Sequence, residues 1–572
     1  MPRGEIVERV KTYKGTAMLL FALALTFPAS AIAIWQDSGN PICIAGGWQY
    51  APVIAFDGAG GAIIAWKDER SGTKVYAQRV DADGNELWAS CGVKISGSVD
   101  IWGLGGLEIV SDGSGGAIVV WERPGDIHAQ RIDGSANLLW GVDGVAVCMA
   151  PGNQFSPQLV SDDAGGAIIV WGDGRGSDED VYAQRVNGSG TPLWTTNGVV
   201  ICNAAFDQQC IDIAPDDFGG AVITWEDMRN GGNFHAYTQR VDGDGNLLWI
   251  PNGVYLSNLA DDNWSPRIAS DGAGGAIIVW KQETGYSSTA IHGQHVDASG
   301  DTTWGPSGIP IASACCRLFE PRLVPDGSGG AFVTWVSYYT GPTDELNIYA
   351  QRVDAAGSHL WTPGGVVISA APVSQNLPRI IRDSEGGAII TWQDYRSGDN
   401  SDIYAQRRDA SGVRLWEVNG QAICTAAGQQ EEPRLTSDGA GGAMIVWRDT
   451  RGANPYNVYA QRIEADGSFV GVGETVQRPA AVSALEQNCP NPFNPLTTIR
   501  FSLPEPGRVV LSILDIEGRA IRTLVEGWRK PQRYEVAWDG RDDAGRAVAS
   551  GVYLYRLEAS GHNETKKMVL LR

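Results

Sequence analysis

The chain has 572 residues, a formal net charge of −22 at pH 7, 43% hydrophobic residues and 19% charged residues. It is longer than the roughly 250–300 residues over which one hydrophobic core keeps growing, so its core must be divided. The hydrophobic content excludes intrinsic disorder. The acidic balance argues against nucleic-acid binding, which needs clustered Lys and Arg for phosphate contacts.

Residues 1–33 have the order of a secretory signal peptide. Arg9, Lys11 and Lys14 precede an apolar run at 17–27, and small residues of the Ala-x-Ala type follow it. The alternative, a membrane anchor, is weaker because the run is too short to span a bilayer. We therefore expect cleavage, passage through the periplasm, and a mature chain without a transmembrane segment.

One stretch, Gly-Gly-Ala-Ile-Ile-Val-Trp, recurs eight times in slightly different forms. The tryptophans of successive copies lie 50–57 residues apart, and such a regular period is the signature of a repeat protein. The copies stand at Gly60–Trp66, Gly115–Trp121, Gly165–Trp171, Gly219–Trp225, Gly274–Trp280, Gly329–Trp335, Gly386–Trp392 and Gly441–Trp447. Each repeat is expected to pack only on its neighbours.

A full repeat is clear at Phe155–Cys202, where four apolar runs alternate with Gly- and Asp-rich turns. This pattern is typical of four short antiparallel strands, named A to D here, with the recurrent stretch as strand B. Four-stranded units of about 54 residues are typical of β-propeller blades. The hairpin at Val75–Trp88 also resembles the tryptophan-docking turn of quinoprotein-type propeller repeats. We expect an all-β fold in which residues 34–476 form an eight-bladed β-propeller.

The strand count predicts how the ring closes. Strands A, B and C occur eight times, but only seven internal strands D follow them, because the last repeat lacks the D tryptophan. A D-like segment, residues 35–43, instead precedes the first strand A. We expect this N-terminal strand to complete the last blade and leave no open sheet edge.

The nine cysteines fit an oxidising compartment only loosely. Cys43, Cys148, Cys202 and Cys424 fall at one repeat position, and residues in that register on different blades lie too far apart to pair. They are expected to be small buried side chains. Cys202 with Cys210, across a short loop, is the best candidate for a disulfide.

A second domain is predicted at 485–572, after a linker at 477–484. Strand-like runs at 498–503, 509–515, 534–538, 552–558 and 567–571, separated by turns, predict a small β-sandwich. Four prolines near its start require an extended entry of the chain.

Several motifs in this second domain carry a family resemblance. Asn-Cys-Pro-Asn-Pro-Phe-Asn-Pro at 488–495, Trp-Asp-Gly-Arg-Asp-Asp-Ala-Gly-Arg at 538–546, Ser-Gly-Val-Tyr-Leu-Tyr-Arg at 550–556 and Lys-Met-Val-Leu-Leu at 567–571 occur in this order. They resemble the C-terminal sorting domain of type IX secretion cargo, an Ig-like sandwich similar to the FlgD family. Cys489 stands where that family usually has Tyr.

The resemblance implies recognition by a secretion machinery, export across the outer membrane, and then release or attachment at the cell surface. FlgD-like sandwiches also occur in bacteria whose export route is not established, so the domain is better defined than the route. The residues that match the sorting motif are Pro490, Asn491, Pro492, Phe493, Asn494, Pro495, Gly551, Tyr553 and Lys567.

Most repeated polar residues have a structural interpretation. Asp and Arg recur in the pattern Trp-x-Asp-x-Arg, and a further Arg recurs in Ala-Gln-Arg. Groups present in most repeats favour ion pairs between blades and clamps on loops over a single active site. The histidines lack metal-ligand spacing, the Asp-rich turns lack the further acidic ligands that calcium needs, and no catalytic motif is present. We therefore predict no metal, no cofactor and no catalytic residues.

The loop before strand A is the strongest candidate for a ligand site. It holds a carboxamide in six of eight repeats, often followed by an aromatic residue. One residue into strand A, four consecutive repeats have arginine, whereas Glu108 and Asp212 stand there in repeats two and four. The candidate ligand-binding residues are Gln49, Gln154, Gln208, Asn263, Gln375, Gln430, Phe155, Trp264, Phe319, Arg267, Arg322, Arg379 and Arg434.

Two interpretations of this loop remain open. These side chains line the mouth of the central channel and bind a glycan or a peptide, or the carboxamides cap loop backbone and the arginines pair with neighbouring acids. We expect a secreted or cell-surface binding or adhesion propeller. The alternatives are an extracellular polysaccharide hydrolase or lyase, for which Glu108 and Asp212 are the candidate acid–base groups, and a purely structural surface protein.

Overall fold

The structure, a computed structural model, describes residues 35–97, 106–259, 261–285, 288–313, 317–339, 345–398, 400–452, 454–469, 484–485, 488, 491, 493–502, 507–529, 533–559 and 562–571. The chain divides into two compact units, Met1–Val470 and Gly471–Arg572. The predicted signal peptide, all of the predicted linker except Ala484, and Pro490 and Pro492 of the sorting motif lie outside the described residues.

Every regular element of the described chain is a β-strand. The first half of the unit Met1–Val470 contains β1 (Asn40–Cys43), β2 (Gln49–Phe56), β3 (Ala62–Asp68), β4 (Lys74–Val80), β5 (Val93–Lys94), β6 (Leu107–Ser111), β7 (Ala117–Arg123), β8 (Asp126–Ile132), β9 (Val145–Cys148), β10 (Gln154–Ser161), β11 (Ala167–Asp173), β12 (Asp180–Val186), β13 (Val199–Cys202), β14 (Gln208–Pro215), β15 (Ala221–Asp227), β16 (His235–Val241) and β17 (Val254–Tyr255). The second half contains β18 (Asn263–Ser270), β19 (Ala276–Gly285), β20 (Ser288–Val296), β21 (Ile309–Ser313), β22 (Arg317–Pro325), β23 (Ala331–Tyr339), β24 (Glu345–Val353), β25 (Val366–Ser369), β26 (Gln375–Arg382), β27 (Ala388–Asp394), β28 (Asp402–Arg408), β29 (Gln421–Cys424), β30 (Gln430–Ser437), β31 (Ala443–Asp449) and β32 (Asn457–Ile463).

These strands form repeated four-stranded antiparallel sheets, numbered here in chain order. Sheets 1 to 7 each consist of four consecutive strands, from β2–β5 to β26–β29. Sheet 8 contains β30, β31 and β32, and its outer strand is β1 from the other end of the chain. Asn40 pairs with Ala460 and Pro41 with Tyr459. The N-terminal strand thus lies where the strand count places it.

The sheets contact one another in a cyclic order. The first strand of each sheet contacts the first strand of the next, and β30 of sheet 8 contacts β2 of sheet 1. The contact region between two neighbouring sheets is called a joint here. An indole N–H group bridges each joint: Trp88 donates to the carbonyl oxygen of Gly134 at 3.1 Å, and Trp35 donates to that of Ala82 at 2.9 Å. The remaining joints have Trp140 to Gly188, Trp194 to Gly243, Trp249 to Ala298, Trp304 to Ala355, Trp361 to Ala410 and Trp416 to Ala465.

The recurrent Gly-Gly stretch forms the turn into the second strand of each sheet. In sheet 1, the carboxylate of Asp57 accepts hydrogen bonds from the backbone N–H groups of Ala59 and Gly61, both at 2.8 Å. A Cβ on Gly61 would lie 2.2 Å from the carbonyl oxygen of Val80, so only glycine fits this close approach. The aliphatic residues that follow are completely buried between neighbouring sheets.

The predicted ion pairs form, but each lies within one sheet, and the same arginines reach the neighbouring sheet through hydrogen bonds. Arg229 of sheet 4 contacts Asp227 at 2.6 Å, lies 3.7 Å above the ring of Tyr237, and donates to the sulfur of Cys202 in sheet 3 at 3.4 Å. Its Nη2 also donates to the carbonyl oxygen of Asn252 at 2.7 Å. Equivalent pairs are Asp68–Arg70, Asp173–Arg175, Asp394–Arg396 and Asp449–Arg451.

The Ala-Gln-Arg arginines form a second set of joints. Arg185 pairs with Asp162 in its own sheet at 3.0 Å and donates to the carbonyl oxygen of Gly243 in the next sheet, also at 3.0 Å. Arg462 of sheet 8 makes the corresponding bond to Ala82 of sheet 1 at 3.1 Å. Because every such arginine bridges two sheets, these residues stabilise the repeat array.

The cysteines correct one prediction. Cys202 and Cys210 are free thiols with different partners, Asp227 for the first and Glu226 for the second, so the predicted disulfide between them is wrong. The sulfur of Cys202 lies in the joint with Arg229, whereas Cys210 lies in the first strand of the next sheet. The four cysteines that share one repeat position are buried, as predicted; they are Cys43, Cys148, Cys202 and Cys424.

The C-terminal unit contains two sheets around one core. Its strands are β33 (Ala484–Leu485), β34 (Thr497–Ser502), β35 (Gly507–Leu514), β36 (Ala520–Arg529), β37 (Arg533–Trp538), β38 (Gly551–Ala559) and β39 (His562–Leu570). One sheet has the order β33-β34-β37 and the other β36-β35-β38-β39. The prediction missed β33 and β36; β36 is an edge strand on which only Val525 is buried, so it lacks the alternation expected of a half-buried strand.

The described residues of the sorting motif lie against the last strand. Phe493 is buried, its N–H donates to the carbonyl oxygen of Val569 at 3.0 Å, and its own carbonyl oxygen accepts from Leu571 at 2.9 Å. The side-chain oxygen of Asn491 accepts from Val569 at 2.9 Å. Asn494 and Pro495 are exposed beyond it, and β38 and β39 carry Gly551, Tyr553 and Lys567. Within the described part of the chain, no helix is long and apolar enough to cross a membrane.

Candidate functional site

One register position of the first strand brings a side chain from every sheet to a common centre. In each sheet this residue pairs with the residue just before the strand-B tryptophan. The eight residues, called the central ring here, are Val53, Glu108, Gln158, Asp212, Arg267, Arg322, Arg379 and Arg434. All except Val53 line one cavity of about 460 Å³, together with Ser156, Cys210 and Ile211. An adjoining cavity of about 280 Å³ shares Glu108, Arg379 and Arg434.

A β-bulge directs these side chains into the cavity. In seven sheets the pairing register shifts immediately before the central ring, as between Trp264 and Arg267 of sheet 5. The bulge places a non-glycine residue in the left-handed region, with φ between 50° and 56°, and such bulges re-aim side chains. These residues are Ala51, Ser156, Cys210, Ser265, Glu320, Leu377 and Glu432. In sheet 2 the corresponding position is Gly106, with φ 69°, and the residues just before it lie outside the described chain.

The four arginines of the central ring differ from the arginines of the joints. Arg267, Arg322 and Arg379 each donate Nη1 to the carbonyl oxygen of the preceding proline, at 3.2, 3.0 and 2.9 Å. In the described part of the chain, none of the four has a carboxylate oxygen within 4.0 Å, whereas every joint arginine does. They are therefore partly buried cations without a direct ion pair among the described residues.

Burial and mutual repulsion act on these guanidinium groups. The pKa of Arg322 is lowered to about 10, first by burial and then by the charge of Arg267. The pKa of Arg379 is lowered well below its usual range by burial and by Arg434. The neighbouring guanidinium groups thus disfavour the charged forms of Arg322 and Arg379, and an anion bound between them would relieve this repulsion.

Two carboxyl groups share the cavity with the arginines. The pKa of Glu108 and the pKa of Asp212 are both raised by burial, and nearby arginines partly oppose the shift. Asp212 accepts hydrogen bonds from the backbone N–H groups of Ile213 at 3.1 Å and Ile268 at 3.2 Å.

Four guanidinium groups and two carboxyl groups line the cavity of about 460 Å³, so its lining has an excess of cations although the protein as a whole is acidic. Two further acids lie nearby. Glu320 raises the pKa of Arg322 and of Arg379, against the effect of burial. Glu432 lines the adjoining cavity.

The predicted carboxamides do not line the cavity. They are the first residues of the first strands, their side chains are at most 2% exposed, and their amide nitrogens bind loop carbonyl groups. Gln375, for example, donates to Ala371 at 3.0 Å and to Val373 at 2.9 Å. Gln49, Gln154, Gln208, Asn263 and Gln430 hold their loops in the same way. This placement corrects the expectation that they face the mouth.

The predicted aromatic residues also lie away from the cavity. Phe155 covers the backbone of Gly172 in the neighbouring strand, and the ring of Trp264 packs 4.6 Å from that of Phe234. Phe319 packs against the core between sheets 6 and 7. The side chain that precedes the bulge points away from the centre, because the extra residue of the bulge changes the alternation.

Sequence reasoning missed the polar residues that accompany the arginines. Gln158 completes the central ring, while Ser156 and Cys210 lie on bulge positions that line the same cavity. A signal was present: proline precedes the ring position in most repeats, and proline inside a strand is found at edges or bulges. Among the described residues, no group of three or more His, Cys, Asp or Glu could hold a metal ion.

Comparison with known proteins identifies one region. Residues 495–563 match the family of the FlgD Ig-like domain, so the C-terminal unit carries an Ig-like domain. No curated protein matches the chain.

Among solved structures, the chain is similar to a lectin from Burkholderia pseudomallei, with 11% identity, coverage of 64% of this chain and 98% of that one, and a TM-score of 0.41. It is similar to an ulvan lyase with 9% identity, coverage of 76% and 96%, and a TM-score of 0.39. It is also similar to an endo-arabinase from Bacteroides thetaiotaomicron, with 14% identity, coverage of 43% of this chain and 92% of that one, and a TM-score of 0.28. With TM-scores below 0.5, these likenesses carry no inference about this chain. Its repeated four-stranded sheets and their cyclic contacts are themselves propeller-like.

Proposed function

We propose that residues 35–469 form a closed eight-bladed β-propeller that binds an anionic ligand in its central cavity. The closed ring is supported by the indole bonds that run through every joint, including Trp35 to Ala82, and by the pairing of β1 with β32. The binding function rests on one observation: four arginines converge on one cavity without a carboxylate partner.

An acidic saccharide is the ligand class that fits this cavity best. Guanidinium groups bind carboxylate and sulfate groups through paired hydrogen bonds. Ser156, Gln158 and the two carboxyl groups offer partners for sugar hydroxyls, and a volume of about 460 Å³ lies in the range of small-molecule sites. An acidic peptide is the competing ligand.

The test is binding of uronate-containing and sulfated oligosaccharides, followed by calorimetry, to the mature chain and to Arg379→Gln. Loss of one charge-assisted contact should weaken binding roughly tenfold to a hundredfold. Arg414→Gln, which removes an exposed arginine of the same unit, is the matched control and should bind normally. Equal affinity in all three proteins, or binding of acidic peptides but not saccharides, would contradict the proposal.

A second candidate function is polysaccharide cleavage in the same cavity. It is favoured by Glu108 and Asp212, two carboxyl groups with raised pKa values beside cations that could neutralise a uronate. Incubation with acidic polysaccharides should then release new unsaturated or reducing ends, and Glu108→Gln should abolish this release while retaining binding. Binding without any release leaves the protein as a binding module.

We also propose that the chain is exported by its signal peptide and that the Ig-like domain directs it through a type IX-like route to the cell surface. The match of 495–563 and the docking of Asn491 and Phe493 on β39 support this role. Deletion of residues 485–572 should leave the chain in the periplasm of a host with that machinery. Surface delivery of the truncated chain would contradict the proposal.

A further inference from the structure

The joints between sheets share a small polar contact that is built from one residue on each side. The last strand of a sheet ends in a small residue, and the next sheet presents a left-handed residue before its last strand. Between sheets 2 and 3, Cys148 meets Asn197, whose carboxamide oxygen accepts from the N–H of Met149 at 3.0 Å. Arg175 donates to Cys148 and to the carbonyl oxygen of Asn197, and so fixes both sides.

This contact recurs with asparagine in other joints. Cys202 meets Asn252, and Ser369 meets Asn419; both asparagines have φ near 60° and accept from the backbone N–H that follows the small residue. Asparagine suits this place because it tolerates the left-handed region and offers an acceptor. Only one partner in each of these joints is a thiol or hydroxyl.

The joint where the two chain ends meet is built differently. Cys43 ends β1, the outer strand of sheet 8, and the left-handed residue of sheet 1 is Cys91, with φ 57°. Arg70 donates to the sulfur of Cys43 at 3.0 Å and to the carbonyl oxygen of Cys91 at 2.9 Å, as the corresponding arginines do elsewhere. Both are free thiols in this structure, both pack on the same core, and each shifts the pKa of the other through a hydrogen bond.

The surroundings activate one of the two thiols. The pKa of Cys91 is lowered to about 6, first by the hydrogen bond from Cys43 and then by the backbone N–H of Ile44 and the charge of Arg70. The pKa of Cys43 is raised by that same bond and by burial. A thiolate that touches a second sulfur is well placed for oxidation.

We propose that Cys43 and Cys91 form a disulfide that fastens the N-terminal strand of sheet 8 to sheet 1. The two thiols lose two protons and two electrons, an S–S bond forms, and the electrons reduce the disulfide of a thiol–disulfide oxidoreductase, or oxidised glutathione in vitro, to two thiols. The strand β1 has only four residues and pairs with a segment more than 400 residues away, so a covalent link opposes its fraying.

Mass spectrometry of the full mature chain, oxidised with glutathione and digested without reduction, tests the link. We expect one cross-linked pair of peptides containing Cys43 and Cys91, lacking two hydrogens relative to the reduced peptides. Cys148, Cys202 and Cys424 should instead be alkylated in denaturant. Alkylation of both Cys43 and Cys91 in the denatured, unreduced protein, or their linkage to other cysteines, would overturn the proposal.

Thermal unfolding with and without reductant tests the fastening role. Reduction should lower the midpoint of the wild-type protein by a few degrees. Cys91→Asn installs the asparagine of three other joints, so it should fold and lose the sensitivity to reductant. Cys202→Ser is the matched control and should stay sensitive. A wild-type midpoint that does not respond to reduction would contradict the fastening role.

Discussion

The joints between sheets and the central cavity both contain arginine, but the two regions treat it in opposite ways. In the joints each arginine has a buried aspartate partner, and many also lie over a tyrosine ring, as Arg229 does with Asp227 and Tyr237. In the cavity the arginines have no carboxylate within 4.0 Å among the described residues, and they occur only in sheets 5 to 8. Identical residue types thus serve stability in one place and, in the proposed function, ligand binding in the other.

The two regions differ in whether their residues repeat from sheet to sheet and in whether their charges are paired. A joint is repeated around the array, so its charges are neutralised within each repeat. The central ring changes from Val53 through two acids to four arginines, and this departure from the repeat leaves a positive excess. Departures from a local rule without compensation are expected at functional sites.

The largest expected effect comes from breaking a joint. Asp227→Ala leaves the guanidinium of Arg229 without its partner and should lower the free energy of unfolding by about 3 kcal/mol. Denaturant unfolding measures this loss, and saccharide binding to the folded protein should persist. Glu385→Ala is the control, because Glu385 is 66% exposed and Arg407 keeps Asp383; it should cost less than about 0.5 kcal/mol. Equal losses would erase the distinction between buried and exposed pairs.

A substitution in the cavity should weaken ligand binding more than it changes the free energy of unfolding, the reverse of Asp227→Ala. Arg322→Gln removes a cation that its neighbours repel, so the free energy of unfolding should stay constant or rise by up to about 1 kcal/mol. Binding of the acidic saccharide should weaken roughly tenfold or more. Unfolding and calorimetry on the same preparation separate the two effects. Destabilisation as large as that of Asp227→Ala would show that the arginines hold the fold.

The smallest expected effect is a pH dependence of binding. Burial raises the pKa of Glu108 above its unfolded value, so its protonation favours the folded state and adds stability as pH falls through the raised pKa. Protonation also makes the cavity more positive. Affinity for a sulfated saccharide, whose own charge stays constant, should therefore rise as pH falls, and Glu108→Gln should reduce this rise. Calorimetry across the acid range checks it, and affinity independent of pH would contradict it.

More of the fold than of the candidate site could be predicted from the sequence. The Gly-Gly stretch and its period predicted the repeated four-stranded sheets, and the missing strand D pointed to the N-terminal segment that pairs with β32. The arginines were found because they recur at one position of strand A. The carboxamides, such as Gln375, recur equally well but serve to hold their loops. Recurrence alone therefore does not separate a ligand group from a loop cap.

By itself, the sequence determined the strands, the turns and the pattern of joints, because these depend on alternation and turn residues within one repeat. Only the tertiary structure decided which residues face the centre, since a bulge of one residue reverses the side of the strand on which a side chain lies. It also decided that Cys43 meets Cys91 rather than that Cys202 meets Cys210. That contact arises where the two ends of the array meet, and no pattern within a single repeat contains it.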